Sequence, residues 1–164
     1  VFQDPDDQLF MPTVVEDVMF GPKNFGFSNE EAENNAINAL KKVKMDNFID
    51  KPPHHLSFGQ KRKVAIASVL ASEPELLVLD EPSSNLDPAS RRELIEILKS
   101  LEISLILVTH DLPMALEICD RSIILNNGAI TTDMKTYEIL KDKKIMEENR
   151  LELPYGFALH HLEE

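Results

Sequence analysis

Apolar positions along the chain fall into two kinds of pattern, helical stripes and short unbroken runs. Val1-Phe2 leads into a polar turn containing Pro5, which reads as the end of a buried strand entering a loop. Met11 to Phe20 is expected to be a helix. Pro12 and Thr13 suit its start, Val14, Val18 and Met19 form one apolar face, and Gly21-Pro22 is expected to end it. Ser28 followed by Glu31 makes a capping box, and Ala32, Ala36, Ile37, Leu40 and Val43 recur at helical spacing up to Met45. Lys41, Lys42 and Lys44 lie in its last turns, where positive charge suits the dipole. A further helix runs from Leu56 to Ser72 with Ser57 as N-cap, and Glu73-Pro74-Glu75 breaks it. Leu76 to Leu79 and Ser104 to Val108 then read as strands buried on both faces. Between them, Asp87 caps a helix from Pro88 to Leu101. A helix of about Leu112 to Cys119 leads to a third strand, Arg121 to Leu125, and Asn127-Gly128 turns a hairpin back through Ala129 to Thr131.

Alternation of strand and helix predicts a parallel α/β sheet with right-handed crossovers. The expected divisions are residues 1–10 as the end of a core strand and its loop, 11–75 as a helical subdomain, 76–131 as the α/β core, and 132–164 as an acidic helical tail. The tail carries one short helix around Thr136 to Leu140 and another around Ile145-Met146, ending at Leu151-Glu152-Leu153-Pro154. His160 and His161 stand among acidic residues, where a solvated tail is favoured over a metal site.

The strand from Leu76 runs straight into two carboxylates, Asp80 and Glu81. Open α/β sheets bind ligands at the carboxyl ends of their strands. Two ionised carboxylates beside a dry core need a positive partner. A magnesium ion with a nucleotide phosphate supplies one, because magnesium takes oxygen ligands. On this reading Asp80 is the magnesium-side carboxylate, and Glu81 is the base that orients an attacking water. His110 ends the next strand as Asp80 ends the first, and can donate to a phosphate or to that water. Gln3, at the first strand's exit, can help ligate magnesium or hold a water. The start of the Leu56–Ser72 helix, with its unsatisfied amides, the Ser57 hydroxyl and the bare Gly59, is an anion site. A capped core helix whose Gly59 only permits a turn reads equally well.

Bulk properties narrow the classes. A net charge of −12 over 164 residues argues against the basic face a nucleic-acid binder needs. Cys119 is the single cysteine, so no intrachain disulfide forms and a reducing compartment is expected. It lies in an apolar helical pattern and reads as packing. No apolar run approaches the roughly 20 residues of a membrane span, and no signal-like start is present. Val1 in first place fits a piece of a longer protein.

In this order, these segments resemble the nucleotide-binding subunit of ABC transporters over roughly Val1 to Thr131. Leu56-Ser57-Phe58-Gly59-Gln60 resembles the signature sequence, Leu76 to Glu81 the Walker B strand with its catalytic glutamate, and Ser84-Asn85-Leu86-Asp87 the D-loop. His110 resembles the switch histidine and Gln3 the Q-loop glutamine. VFQDPDDQLF together with DVMFGPKNFG, and the tail's LELP, are similar to the ATPases of cobalt/nickel and energy-coupling-factor vitamin importers.

The resemblance implies a P-loop NTPase-type sheet with an inserted helical subdomain, ATP and magnesium as ligands, and hydrolysis coupled to uptake of cobalt, nickel or a vitamin. It implies catalytic roles for Glu81 and His110. Gln3, Ser57, Gly59, Gln60 and Asp87 would contact nucleotide, with Gln3 and Asp80 on the metal. Two subunits would sandwich two ATP molecules head to tail, with Ser57 and Gly59 of one meeting the γ-phosphate held by the other. The helical subdomain with Gln3 would couple to a transmembrane subunit at the cytoplasmic face of the membrane.

Two departures stand out. Phe58 replaces a glycine common in the signature, a change expected to be tolerated. More consequentially, the chain contains no G-x-x-x-x-G-K-[ST], so the phosphate cradle and its lysine are absent. With Glu81 and His110 in place, a fragment of a longer subunit is favoured over a degenerate copy. The alternative is a non-hydrolysing interaction module that complements a complete partner. A DNA-repair or translation ATPase of the same superfamily is disfavoured by the lack of a coiled-coil insertion and of a basic surface.

Overall fold

Three capped helices open the chain in the computed structural model, which describes residues 1–155 and Phe157. α1 (Val14–Asn24), α2 (Asn29–Lys42) and α3 (Phe58–Leu70) each begin with a capping box, from Thr13 with Glu16, Ser28 with Glu31, and Ser57 with Gln60. In each the N-cap hydroxyl accepts an N–H of the first turn, and the Glu or Gln carboxylate or amide oxygen accepts the N-cap's own N–H. The helices pack on one another through Val14, Val18, Ala32, Ala36, Leu40, Val64, Ala65 and Ile66, all fully buried. β1 (Leu76–Asp80), α4 (Pro88–Ser100) and β2 (Ser104–Val108) follow. β1 and β2 pair in parallel, with Leu76 opposite Ser104 and Asp80 opposite Val108. All of this lies in one compact unit, Val1–Val108; a second begins at Thr109.

The second unit contains α5 (Leu112–Ile118), the hairpin β3 (Arg121–Asn126) and β4 (Ala129–Lys135), then α6 (Thr136–Lys141) and α7 (Lys143–Glu148). Its core gathers Ile139, Leu140 and Met146 with Leu112, Leu116, Ile124, Ile145, Leu151 and Leu153. The LELP stretch thus contributes packing to its own unit. His160 and His161 lie outside the described residues.

Four expectations need correction. β1 is closed on one face only. Leu77 and Leu79 are fully buried, whereas Leu76 and Val78, with Ile106 and Val108 on β2, are 45–52% exposed. An apolar run announces two dry faces, but only elements stacked on both can supply them. The segment Arg121 to Leu125 does not join the parallel sheet; it pairs antiparallel with β4. Asn127 and Gly128 take φ of +50° and +77°, which closes a tight turn and satisfies the ladder locally. The returning strand is also longer than expected, reaching Lys135. Finally, Gly21-Pro22 does not stop α1, which continues to Asn24. Pro22 is buried within the last turns, and the stop comes at Gly26, with φ of +90°. Gly21 serves close approach instead: a Cβ there would lie 2.7 Å from the Ser72 Oγ.

Candidate functional site

The end of β1 places the two carboxylates. Asp80 is the last residue of the strand and is exposed. Glu81 leaves it in a left-handed conformation, φ +44°, while its N–H still donates to the Val108 carbonyl at 2.8 Å. A non-glycine residue held there costs about 1–3 kcal/mol and persists where surrounding bonds over-determine it. Here the Ser84 N–H donates to the Glu81 carbonyl at 3.2 Å, and Asn85 adds a second left-handed residue at φ +62°. The chain thereby turns sharply, and the Glu81 side chain stays half-exposed at the sheet's carboxyl edge.

Val1 reaches the same strand: its amino group donates to the Val78 carbonyl at 2.8 Å, two residues short of Asp80. Gln3 lies two residues past Val1 with an exposed side chain. Val1 thus lies beside the strand that Asp80 ends, and Gln3 follows it by two residues.

Ser57 caps α3 by accepting the Gln60 N–H at 3.3 Å, and the Gln60 Oε1 accepts the Ser57 N–H at 2.9 Å. Lys61 closes the turn on the Ser57 carbonyl. Phe58 and Gly59 keep the amides that the helix itself cannot satisfy. Gly59 has a packing reason as well. A Cβ at that position would meet the Ser90 Oγ at 2.9 Å and the Leu86 Cδ2 at 3.6 Å, so its bare backbone lets α3 approach the start of α4. Asp87 works locally too. Its Oδ1 accepts the Ala89 and Ser90 amides at 3.0 Å, and its Oδ2 accepts the Ser90 hydroxyl. That hydroxyl is the main cause holding the carboxyl below the usual range.

His110 follows Val108 by two residues and heads the second unit. Its carbonyl accepts the Leu112 N–H at 3.1 Å, and Asp111 beside it caps α5 by accepting the Met114 N–H at 3.0 Å.

A family model described as "AAA domain, putative AbiEii toxin, Type IV TA system" matches residues 20–117. The chain is 62% identical over 157 residues to a "Putative ABC transporter ATP-binding protein" of Streptomyces avermitilis, covering 96% of this chain and 60% of that relative. It is 44% identical over 158 residues to the "Energy-coupling factor transporter ATP-binding protein EcfA" of Methanosphaera stadtmanae, covering 94% and 57%. Among solved structures, cbiO1 from Clostridium perfringens, part of the ABC transporter complex cbiONQ, superposes with a TM-score of 0.78 at 40% identity, covering 94% of this chain and 63% of that one. The chain belongs to the ATP-binding subunits of ABC transporters. It spans about 60% of the length of its Streptomyces relative. An ATP-binding cassette solved as a post-hydrolysis dimer with ADP and phosphate is also similar, at 31% identity and a TM-score of 0.68 over 83% of this chain and 61% of that one.

Within this ABC chain, two buried charged residues escaped the sequence reading. Arg62 is one, and its hydrogen bonds run to Phe2 and Gln3. Asp17 is the other. Its Oδ1 accepts the Phe10 and Met11 amides at 2.9 and 3.0 Å, while its Oδ2 has no partner among the described residues. Each sits at helical spacing among apolar neighbours, Arg62 between Phe58 and Ile66, Asp17 between Val14 and Val18. That spacing is the signal that was available.

Burial pushes the Asp17 carboxyl above its usual range, against the pull of the two amides. The folded state therefore favours the protonated form. The stability tied to this group is complete below the unfolded pKa of about 3.9 and is lost as pH rises through the folded value. Asp17→Asn keeps an oxygen for the two amides and cannot ionise. Urea midpoints measured from pH 4 to 7 are expected to show wild type gaining on Asp17→Asn as pH falls. A difference that stays flat across that range contradicts the assignment.

Proposed function

We propose that the chain is the signature-bearing and Walker B-bearing part of an importer ATPase that couples ATP hydrolysis to uptake of cobalt, nickel or a vitamin. The observation that carries this reading is the corner at the end of β1. There Asp80 is followed at once by a strained Glu81, in the same unit as a helix whose start retains amides for a phosphate. Glu81 would act as the base toward the attacking water and His110 would steady the charge developing on the phosphate. Ser57 and Gly59 would meet the γ-phosphate held by a second ATP-binding subunit, with Gln60 and Asp87 holding the loops that present them.

Magnesium fits the residues present. Asp80 and Gln3 both offer hard oxygen donors. No group of three or more acidic, histidine or cysteine side chains forms a metal cage among the described residues. Magnesium is commonly held by one or two carboxylates together with substrate phosphates. When bound, the ion would neutralise charge on the phosphates.

The relatives' names support the importer reading: one relative is an energy-coupling-factor protein, and the structural neighbour belongs to the cbiONQ complex. No described helix is long and apolar enough to cross a membrane. From the transporter systems that the relatives' names give, we infer a place on the cytoplasmic face, held by a transmembrane partner that meets the helical subdomain and the Gln3 loop. The 164-residue chain alone is expected to bind ATP weakly and to release no phosphate above background, because it carries no phosphate-cradling glycine loop. Measured turnover by the purified chain would overturn that expectation. A non-hydrolysing partner module would instead raise the turnover of a complete subunit on mixing while itself remaining silent.

A further inference from the structure

α3 carries a full positive charge where its packing calls for an apolar side chain. Arg62 is 1% exposed and lies one helical turn from Phe58, whose ring centroid is 5.3 Å from its Cζ, and one turn from the buried Ile66. Among the described residues no carboxylate lies within ion-pair distance of it, and its Nε has no partner. Asp4 acts on it only as a more distant charge. Burying a cation without a counter-ion is costly, and a methionine would fill similar space without that cost. What the guanidinium does, and methionine cannot, is donate twice in fixed directions.

Both bonds go to the backbone of one dipeptide. Nη1 donates to the Phe2 carbonyl at 2.9 Å and Nη2 to the Gln3 carbonyl at 2.6 Å. In a regular strand successive carbonyls point to opposite sides. Phe2 and Gln3 lie outside any strand, and a fork that grips their two carbonyls in a row holds a bent backbone, so it sets the conformation from which the Gln3 side chain departs. Two further ties fasten the same segment to the same helix. The Gln8 Nε2 donates to the Ala65 carbonyl at 2.6 Å and to the Ser68 Oγ at 2.8 Å, and Lys61 pairs with Asp6 at 2.6 Å. Gln8 also accepts the Phe2 N–H at 3.2 Å, closing the loop on itself.

We propose that Arg62 is a positioning residue that clamps the Gln3 backbone to the signature helix, so that Gln3 and Ser57 are set by one rigid element. The proposal rests on the function given above, because it matters only if those two residues address nucleotide. Ser57 stands at the start of α3 and Arg62 five residues on, so the clamp ties one nucleotide contact to the other through little more than one turn of helix.

The test compares Arg62→Met, which removes both donors, with Arg62→Lys, which keeps the charge but loses the fork. Hydrogen exchange is measured on the 164-residue chain and steady-state ATP turnover on the full-length subunit. Arg62→Met is expected to speed exchange at residues 6–9 at least about tenfold while α2 and the last turns of α3 keep their protection. It is expected to lower kcat by about tenfold or more with the KM for ATP within about twofold, since the clamp sets geometry rather than holding substrate. Arg62→Lys is expected to lie between, recovering part of both effects. Unchanged exchange at residues 6–9, or exchange that rises equally throughout α3, overturns the clamp. A local loosening with kcat unaltered overturns its role in the reaction. If Arg62→Met does not fold, the same two readouts on Arg62→Lys decide. A wild-type full-length subunit without ATP turnover refutes the functional reading, and the exchange data still settle whether Arg62 holds the loop.

Discussion

Glu81→Gln in the full-length subunit is expected to reduce ATP turnover by about two to four orders of magnitude, the range for loss of a positioned general base. The substitution is close to isosteric. Glutamine faces the same left-handed φ of +44° and keeps the same N–H bond to Val108, so neither the strain nor the turn changes. What disappears is the basic oxygen that would take a proton from the attacking water. Nucleotide affinity is expected to hold within a few fold, because Asp80, not Glu81, is the carboxylate assigned to the metal side. Asp80→Asn should invert the pattern and weaken magnesium-dependent binding first. Pre-steady-state phosphate release with a parallel nucleotide-binding titration separates the two. Turnover above a tenth of wild type in Glu81→Gln would remove Glu81 from the role of base.

Much of the local structure was legible because its causes are local. The Ser28–Glu31 box, the Ser57 and Asp87 caps and the Asn127-Gly128 turn each depend on residues within four positions, and all form. The two parallel strands were also legible, since an apolar run ending in carboxylates leaves few alternatives. What failed depends on partners distant in sequence. The hairpin that Asn127-Gly128 announces forms, but the pattern cannot say whether Arg121 to Leu125 also joins the parallel strands, and it pairs only with its hairpin partner. The run Leu76 to Leu79 says that four residues avoid water, not that the chain supplies cover for all four. Pro22 reads as a breaker because its missing N–H is a local fact, whereas its burial against the rest of the unit is not.

The candidate site divides in the same way. The chemical identity of Asp80 and Glu81 is in the sequence; the left-handed backbone that aims Glu81 is not, since φ follows from the bond to Val108, 27 positions away. Gly59 left two readings open. The Ser90 and Leu86 approach gives the packing reading a physical basis and leaves the Phe58 and Gly59 amides available to the other. Arg62 was passed over because a charge in a helix is assigned to solvent by default, and the carbonyls that justify its burial lie 59 and 60 residues earlier.

Leu79→Ala is expected to be the most destabilising of the simple core truncations on β1, at about 2–5 kcal/mol. Leu79 is fully buried on the closed face, immediately before Asp80, so the cavity would open beneath the strand end that presents both carboxylates. The neighbouring Val78 gives the control. It points to the open face at 45% exposure, and Val78→Ala should cost well under half as much, because much of its surface already meets water. Urea unfolding of both variants, followed at two protein concentrations, checks this. Equal costs would mean that the second face is covered as well. If the cost of Val78→Ala then grew with protein concentration, the cover would be another copy of the chain pairing its apolar strands, the association that an exposed two-stranded sheet invites. If it did not, the assignment of open and closed faces would be wrong, and with it the picture of Asp80 and Glu81 standing at the edge of a one-sided sheet.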